Sequence, residues 1–516
     1  MNLNLSNVWY VALILLPILG GASIFFIPFK KRGHMCVYTE VITILTSVLS
    51  FTILFNRPSS PIDIVTFVSK FTITVGFDGM GSIFAGLISV LWPLASLYAF
   101  EYMKHEANEN SCKETTFFGF YTITFGVTLG IASASNLLTM YIFYEMLTLV
   151  TVPLIIFSLS REATLATRTY LYYSLGGAAF GFVTLVFLSN YGNSLDFVLG
   201  GILDYDKEAG IINVAAGTIS GAATSASASL IRLIYLFGFF GFGVKAAVCP
   251  LQSWLPKAGV APTPVTALLH AVAVVKSGAF AILRITYYSF GTDILKGSFA
   301  QYIPMVVVMI TIVYGCSQAV RERHFKRRLA YSTVSNLSYI LFGCLIMTPA
   351  GMVGALSHML FHGVMKICSF FCAGAVITGT GKEYVYELDG LGKKMPFTFA
   401  AFTISSLALM GVPGLCGFIS KWNLAVAATE SGNVFAYLGV GALLISALLT
   451  AIYMLQVVIR AYFPEKGFNP ASVEKYHDPG WKMLLPFGVF IVLMVYFGLF
   501  SENIVALLKD VASGVF

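Results

Sequence analysis

The chain has 516 residues, 57% of them hydrophobic and 11% charged, with a formal net charge of +7. Ordinary soluble domains carry about 25% charged residues, so this is a polytopic membrane protein, and no hydrophilic stretch is long enough for a separate soluble catalytic domain. Eight cysteines are scattered without a CxxC pair or a ferredoxin-like spacing, so no iron–sulfur cluster and no metal site are expected.

A helix needs roughly 20 apolar residues to cross a bilayer core of about 30 Å. Fourteen such segments begin near residues 7, 35, 79, 116, 136, 169, 230, 263, 302, 329, 351, 397, 434 and 481. The predicted fold is therefore all-α and polytopic, with about 14 transmembrane helices. The first segment is followed by Lys30, Lys31 and Arg32, which marks a retained helix with an inner flank, not a signal peptide. With fourteen crossings and the N-terminus outside, odd-numbered loops hold twenty of the thirty-one Lys and Arg residues. That bias predicts both termini outside. It accounts for the net charge by membrane orientation and leaves no case for nucleic-acid binding.

Residues 57–77 alternate apolar and polar side chains and predict an outer β-hairpin. Glu40 is a weaker candidate acid in the second helix, and Asp78 and Glu101 look like interface residues bracketing the third. The run Leu137–Phe157 carries Glu145. A charge at mid-bilayer costs several kcal/mol, about 2.5–3.5 on the lowest scales, so it points to work inside the membrane. Residues 191–228 are acidic, then rich in Gly, Ala and Ser, which predicts a mobile outer loop.

Two helices are interrupted. The seventh meets Pro250 and the twelfth meets Gly411-Val412-Pro413-Gly414. Proline removes a backbone donor, and such a break survives in a membrane only where protein or water satisfies the freed groups. The breaks lie five crossings apart, so their helices run in opposite directions. That is the pattern of inverted repeats with an ion site at each break. A lysine stands beside each: Lys245 before Pro250 and Lys421 after Pro413. Burial penalises the charged form of either a Glu or a Lys, and pairing offsets the penalty, so Glu145 and Lys245 form a candidate proton-handling pair. A static ion pair is the plainer alternative.

Lys276 lies at mid-helix in the eighth segment, with His270 six residues earlier on the opposite face. In the eleventh, His358, His362 and Lys366 fall within about 80° of one another on a 3.6-residue helix, a titratable stripe suited to a proton wire. The loop Arg321–Arg328 reads as a positive-inside anchor. No amphipathic extension is expected after the last helix. There is no Walker loop, and nothing points to a bound nucleotide, flavin or haem, so no cofactor is expected.

At this point the chain resembles the antiporter-like subunits shared by respiratory complex I, Mrp-type cation/proton antiporters and membrane-bound hydrogenases. The matching stretches begin with Phe77-Asp78-Gly79-Met80-Gly81, Tyr144-Glu145-Met146, and Gly243-Val244-Lys245 through Pro256. They continue with Ala261 through Gly278, Lys326-Arg327-Arg328-Leu329-Ala330-Tyr331-Ser332-Thr333, His358 through Ala375, and Gly411 through Trp422. One departure is His324, where the family usually has an acid. The resemblance implies two inverted five-helix repeats, over 115–290 and 300–465, between N-terminal helices in 1–114 and a last helix in 466–516. It implies Glu145 and Lys245 as the first half-channel pair, Lys276 as a central relay, and His358, His362 and Lys366 on the route to Lys421. The chain length resembles the middle-sized type, such as the Mrp D subunit.

The function expected is proton translocation by one membrane subunit of a multisubunit, complex I-like or hydrogenase-like assembly. As an enzyme it would be a translocase subunit with no redox centre of its own. Its partners would be other membrane subunits, the lipid bilayer, H⁺ and, where exchange drives it, Na⁺, in a bacterial or archaeal cell membrane. The rivals are a Mrp-type Na⁺/H⁺ antiporter subunit, an ion-translocating partner of an inorganic-carbon transporter, and a structural subunit without transport.

Overall fold

The computed structural model describes residues 5–56, 60–68, 71–109, 114–214 and 225–514. Arg57, Lys70, Lys113 and most of the Gly/Ala/Ser-rich part of the 191–228 segment lie outside the described residues. The helices of the first part are α1 (Leu5–Ser23), α2 (Arg32–Asn56), α3 (Gly79–Glu109), α4 (Glu114–Ala132), α5 (Leu137–Ile155), α6 (Arg161–Tyr191) and α7 (Ala228–Gly243). Then come the short α8 (Trp254–Lys257), α9 (Thr263–Ala271), α10 (Val274–Arg284) and the short α11 (Thr292–Leu295). The second part holds α12 (Phe299–Arg321), α13 (Phe325–Leu345), α14 (Pro349–Thr380), α15 (Pro396–Met410), α16 (Cys416–Glu430), α17 (Val434–Tyr462), α18 (Trp481–Leu499) and α19 (Glu502–Ser513).

Among the described residues, ten helices are long and apolar enough to cross a membrane, Thr263–Phe290 counting as one, and three shorter apolar helices lie in α1, α7 and α15. With α13 these account for the fourteen expected crossings. α13 is poor in apolar residues because it carries Ser332, Thr333, Ser335, Asn336 and Ser338, all buried. Thr333, Asn336 and Ser338 spend donors on carbonyls one turn back, which is how a polar helix avoids unpaired groups in an apolar medium. The order α4, α5, α6, α7/α8, α9/α10 is followed by α12, α13, α14, α15/α16, α17. The fourth member of each series is interrupted, and so is the fifth of the first, between α9 and α10.

The hairpin is present: β1 (Ile62–Val68) pairs antiparallel with β2 (Phe71–Val75), Ile62 facing Val75. It is tied to the α4–α5 connection through Gly76 N–H to the Ser133 carbonyl at 2.7 Å and Ser135 N–H to the Thr74 carbonyl at 3.1 Å. The described residues of the 191–228 segment include regular structure. They form a three-stranded antiparallel sheet of β3 (Asp204–Asp206), β4 (Ile211–Asn213) and β5 (Ser225–Ser227).

The expectation that nothing amphipathic follows the last crossing is corrected by α19. Its Leu508, Val511 and Ala512 are buried, and it packs on α14 and α3. The apolar residues of α19 recur at helical spacing among charged ones (Glu502, Lys509, Asp510), so the signal was present but only a dozen residues long.

Burial separates scaffold from centre. In the most apolar window of α18 only 28% of residues are buried within the protein, against 94% for α14 and all of Thr263–Phe290. The two elements most removed from lipid are therefore those that carry Lys276 and the His358–Lys366 stripe.

Candidate functional site

α5 starts at Asn136, whose side chain accepts the Thr139 N–H at 2.8 Å and caps the helix. Two turns on, Glu145 is mostly buried, with 22% of its side chain exposed. Lys245 stands in the turn after α7 and is fully buried. Its ammonium lies 3.9 Å from the Glu145 carboxylate, donates to the Tyr144 carbonyl and sits 3.4 Å from the centre of the Tyr144 ring. The predicted pair is thus assembled, with Tyr144 as the surface that holds the amine.

The break beyond Lys245 leaves backbone groups free, and the structure satisfies them locally. The Trp254 indole N–H donates to the Val244 carbonyl at 2.8 Å, and the Cys249 N–H donates to Thr311 Oγ1 at 3.1 Å. Pro250 itself is exposed. α10 packs so close that a Cβ on Gly278 would lie 2.5 Å from Ala246 N and 3.0 Å from Lys245 Cβ.

The second break is built differently. Gly411 ends α15 in the left-handed region, with φ of 92°, and Pro413 is exposed beyond it. Lys421, from the first turns of α16, reaches back and donates to the Leu409 carbonyl at 2.6 Å and the Met410 carbonyl at 3.1 Å. These are terminal carbonyls of α15, the negative end of a helix dipole, where a cation is stabilised. Lys421 therefore has a helix end for a counter-charge where Lys245 has a carboxylate. Gly411→Ala puts a Cβ 3.0 Å from Lys421 Cδ and forces a residue with a side chain into the left-handed region, at about 1–2 kcal/mol. A lower melting temperature of the assembled protein is the expected result. An unchanged one would show that the break tolerates a side chain.

Lys276 occupies the first turn of α10, just after a second interruption that lies between α9 and α10 at Val272 and Ala273. Its Nζ meets His362 Nδ1 at 2.5 Å. The His362 and His358 rings stack with centres 5.6 Å apart. His358 Nδ1 meets Ser420 Oγ at 2.9 Å, and Ser420 neighbours Lys421. The Tyr339 ring lies 5.0 Å from His358 and 5.3 Å from the Lys421 ammonium. Lys276, His362, His358 and Lys421 thus lie along one line crossing from one half to the other. Lys366, on the same stripe, faces a different way: it donates to Ser332 Oγ on α13 at 2.7 Å. His270 packs on the Phe370 ring at 4.9 Å, and among the described residues neither of its nitrogens has a hydrogen-bond partner. Glu40 stands apart on α2, where it accepts the Ser96 hydroxyl.

Four features lay beyond sequence reasoning. The α9–α10 break has no Pro or Gly to announce it. Ser420 and Ser332 are hydroxyls, which are common in membrane helices. Tyr144 gives no sign of its role beyond standing next to Glu145. Asp78, read as an interface residue, also joins both its oxygens to Arg284, with Nη2 to Oδ1 at 2.6 Å. Among the described residues no group of three or more His, Cys, Asp or Glu side chains is placed to hold a metal ion.

Residues 134–450 match the protein family described as NADH:quinone oxidoreductase/Mrp antiporter, TM. The chain is 30% identical over 433 residues to NADH-quinone oxidoreductase subunit N of Desulforudis audaxviator, covering 81% of this chain and 80% of that protein. It is 30% identical over 414 residues to subunit L of Mycobacterium tuberculosis, covering 79% of this chain but only 60% of that protein. Among solved structures, it is similar to a chain of the Mrp complex from Dietzia sp., with a TM-score of 0.82, 18% identity and coverage of 99% of this chain and 98% of that one. A chain of the archaeal membrane-bound sulfane sulfur reductase gives 0.81 at 21% identity, covering 98% and 97%. Respiratory complex I from Thermus thermophilus gives 0.79 at 20% identity, covering 98% of each chain.

Proposed function

Because this chain belongs to the NADH:quinone oxidoreductase/Mrp antiporter membrane family, we propose that it is a proton-translocating, antiporter-like subunit of a multisubunit membrane complex, and that Glu145, Lys245, Lys276, His362, His358 and Lys421 carry the proton in that order. The observation that carries this reading is the contact of Lys276 with His362 at 2.5 Å. It joins the half containing α4–α10 to the half containing α12–α17 through two titratable groups, in the most buried part of the protein. Ionisable groups that face the interior of a membrane bundle and pair with one another mark ion pathways and proton relays.

Each broken helix gives its lysine a fixed stabiliser on one side. For Lys245 it is Glu145 and the Tyr144 carbonyl, and for Lys421 it is the end of α15. A proton that leaves one amine and arrives at the next changes which stabiliser holds a charge, and a driving partner can bias that exchange. The repeats would span 115–290 and 300–465. The side bearing the Arg321–Arg328 loop would be the inner one, with both termini outside. The partners would be the neighbouring membrane subunits. The chain itself supplies the ion path, and a redox reaction or Na⁺ exchange elsewhere in the complex supplies the drive.

Lys276→Ala tests the reading in membrane vesicles holding the intact complex. Translocation is expected to fall by at least about 100-fold, the lower range for removing a positioned proton-transfer group, with the complex present in normal amount. Normal proton movement in that variant would refute the relay. Running the same vesicles with and without a Na⁺ gradient separates proton pumping from Na⁺/H⁺ exchange.

A further inference from the structure

α6, α8 and the start of α13 meet around an open cavity of about 620 Å³, within the ~300–1,000 Å³ span of small-molecule sites. Three cations from three elements line it: Arg168 from α6, Lys257 from the end of α8 and Arg327 from the first turn of α13. Glu162 is the one acid among its described lining residues. All four side chains are exposed, and among the described residues the ion pairs include none of them. The cavity therefore carries an excess of positive charge with no internal counter-charge fixed to it.

The walls are held by contacts of their own. Ser253, the residue before α8, donates from Oγ to the Tyr173 hydroxyl of α6 at 2.9 Å, and the Tyr170 ring lies 5.2 Å from the Trp254 ring. α8 also packs on α13. Beyond the cations the lining turns apolar and runs along α6. Leu165, Tyr172 and Leu175 recur on one side of that helix and are each more than half exposed. In the most apolar window of α6 only 39% of residues are buried within the protein, so this helix turns much of its surface to the bilayer. Tyrosine is a residue of the membrane–water boundary, where headgroups lie.

We propose that this cavity binds an anionic phospholipid from the leaflet on the side of the Arg321–Arg328 loop, its phosphate held by Arg168, Lys257 and Arg327 and one acyl chain laid along Leu165, Tyr172 and Leu175. Arginine offers a phosphate a two-pronged contact, and lysine a point charge. Basic pockets between membrane helices are suited to such headgroups. A bare phosphate would leave the apolar face uncovered. An acidic protein segment would use the cations but not the apolar face that leads from them into the bilayer. The bound lipid would also tie the first helix break to its neighbours, because α8 carries Trp254, whose indole satisfies the Val244 carbonyl beside Lys245.

The test is photo-crosslinking from Tyr172→benzoylphenylalanine in the intact complex, in phosphatidylcholine vesicles that hold a minor share of phosphatidylglycerol. Mass spectrometry of the adducts should find phosphatidylglycerol enriched well above its share of the bilayer. Arg168→Gln and Lys257→Gln, each added to that variant, should lower the enrichment about fivefold, the effect of one basic side chain near an anionic lipid. Arg168→Lys keeps the charge and should retain most of it. Lys393→Gln removes an exposed charge on the same side, from the segment that pairs with Arg323, and should change nothing. Excess inorganic phosphate should leave the enrichment in place. Adducts in the bulk lipid ratio, or an equal loss in Lys393→Gln, would reduce the site to general attraction and overturn it. Loss of the adduct to inorganic phosphate would make it a phosphate site. A protein adduct would put a neighbouring subunit in the cavity, and either result overturns the lipid.

Discussion

Glu145→Gln is expected to abolish proton translocation and to leave the complex assembled. The substitution keeps the shape of the side chain and removes its charge. Two unit charges about 4 Å apart interact by about 4 kcal/mol at an effective dielectric constant of ~20, and the measured separation is 3.9 Å. That interaction is large against the ~1.4 kcal/mol that changes an equilibrium tenfold. Assembly should survive because Lys245 keeps its bond to the Tyr144 carbonyl and its place over the Tyr144 ring. Among the described residues, Glu145 Oε1 also has no hydrogen-bond partner to lose. The check is proton uptake by vesicles together with the yield of the complex from the same membranes. A fully active variant would refute the role given to Glu145. An inactive variant with no assembled complex would make it a structural ion pair.

Glu145, Lys245, Lys276, Lys366 and Lys421 were legible in the sequence because each breaks an apolar run, and a charge there is costly enough to need a reason. Pro250 and Pro413 were legible because proline removes a backbone donor and each has a lysine near it in an otherwise apolar stretch. Beyond the Glu145–Lys245 pair, the partners of these groups were not legible. Ser332 and Ser420 carry no such cost, since a serine can satisfy itself on its own helix. Helical spacing placed His358, His362 and Lys366 on one face. An arc of about 80° is still wide enough for His358 to meet α16 while Lys366 meets α13, and only packing decides that. The interruption at Val272 and Ala273 is of the same kind. No residue there forbids a helix, and the bend comes from what surrounds it. α19 was missed because a dozen amphipathic residues weigh little against fourteen long apolar runs.

Asp78→Ala is expected to lower the amount and the melting temperature of the assembled protein more than any substitution along the proposed proton path. Asp78 joins two distant parts of the chain, 206 residues apart, by receiving both outer nitrogens of Arg284. It also accepts the Gly81 N–H at 2.8 Å and so caps the start of α3. The two partners differ in surroundings. Arg284 is 1% exposed, against 37% for the Asp78 side chain, and its guanidinium lies 4.8–4.9 Å from the rings of Phe197, Phe280 and Tyr288. Asp78 opens into a cavity of about 440 Å³ on the hairpin side, shared with Asp63 and Asp196. Removing the acid strands a guanidinium that cannot give up its proton and has aromatic faces but no anion. Breaking a buried pair in this way costs about 3–5 kcal/mol. Arg284→Met strands only the half-exposed acid, so its cost should be smaller. Asp78→Leu combined with Arg284→Met should recover much of the loss, because replacing both members of a buried pair with apolar groups is often close to neutral. Arg284→Lys should not rescue, since a point charge cannot reproduce the two-pronged contact. Thermal melting of the purified complex across these four variants decides the matter. If Asp78→Ala melted with the wild type, the pair would hold nothing together, and its place between the start of α3 and the end of α10 would need a functional reason instead.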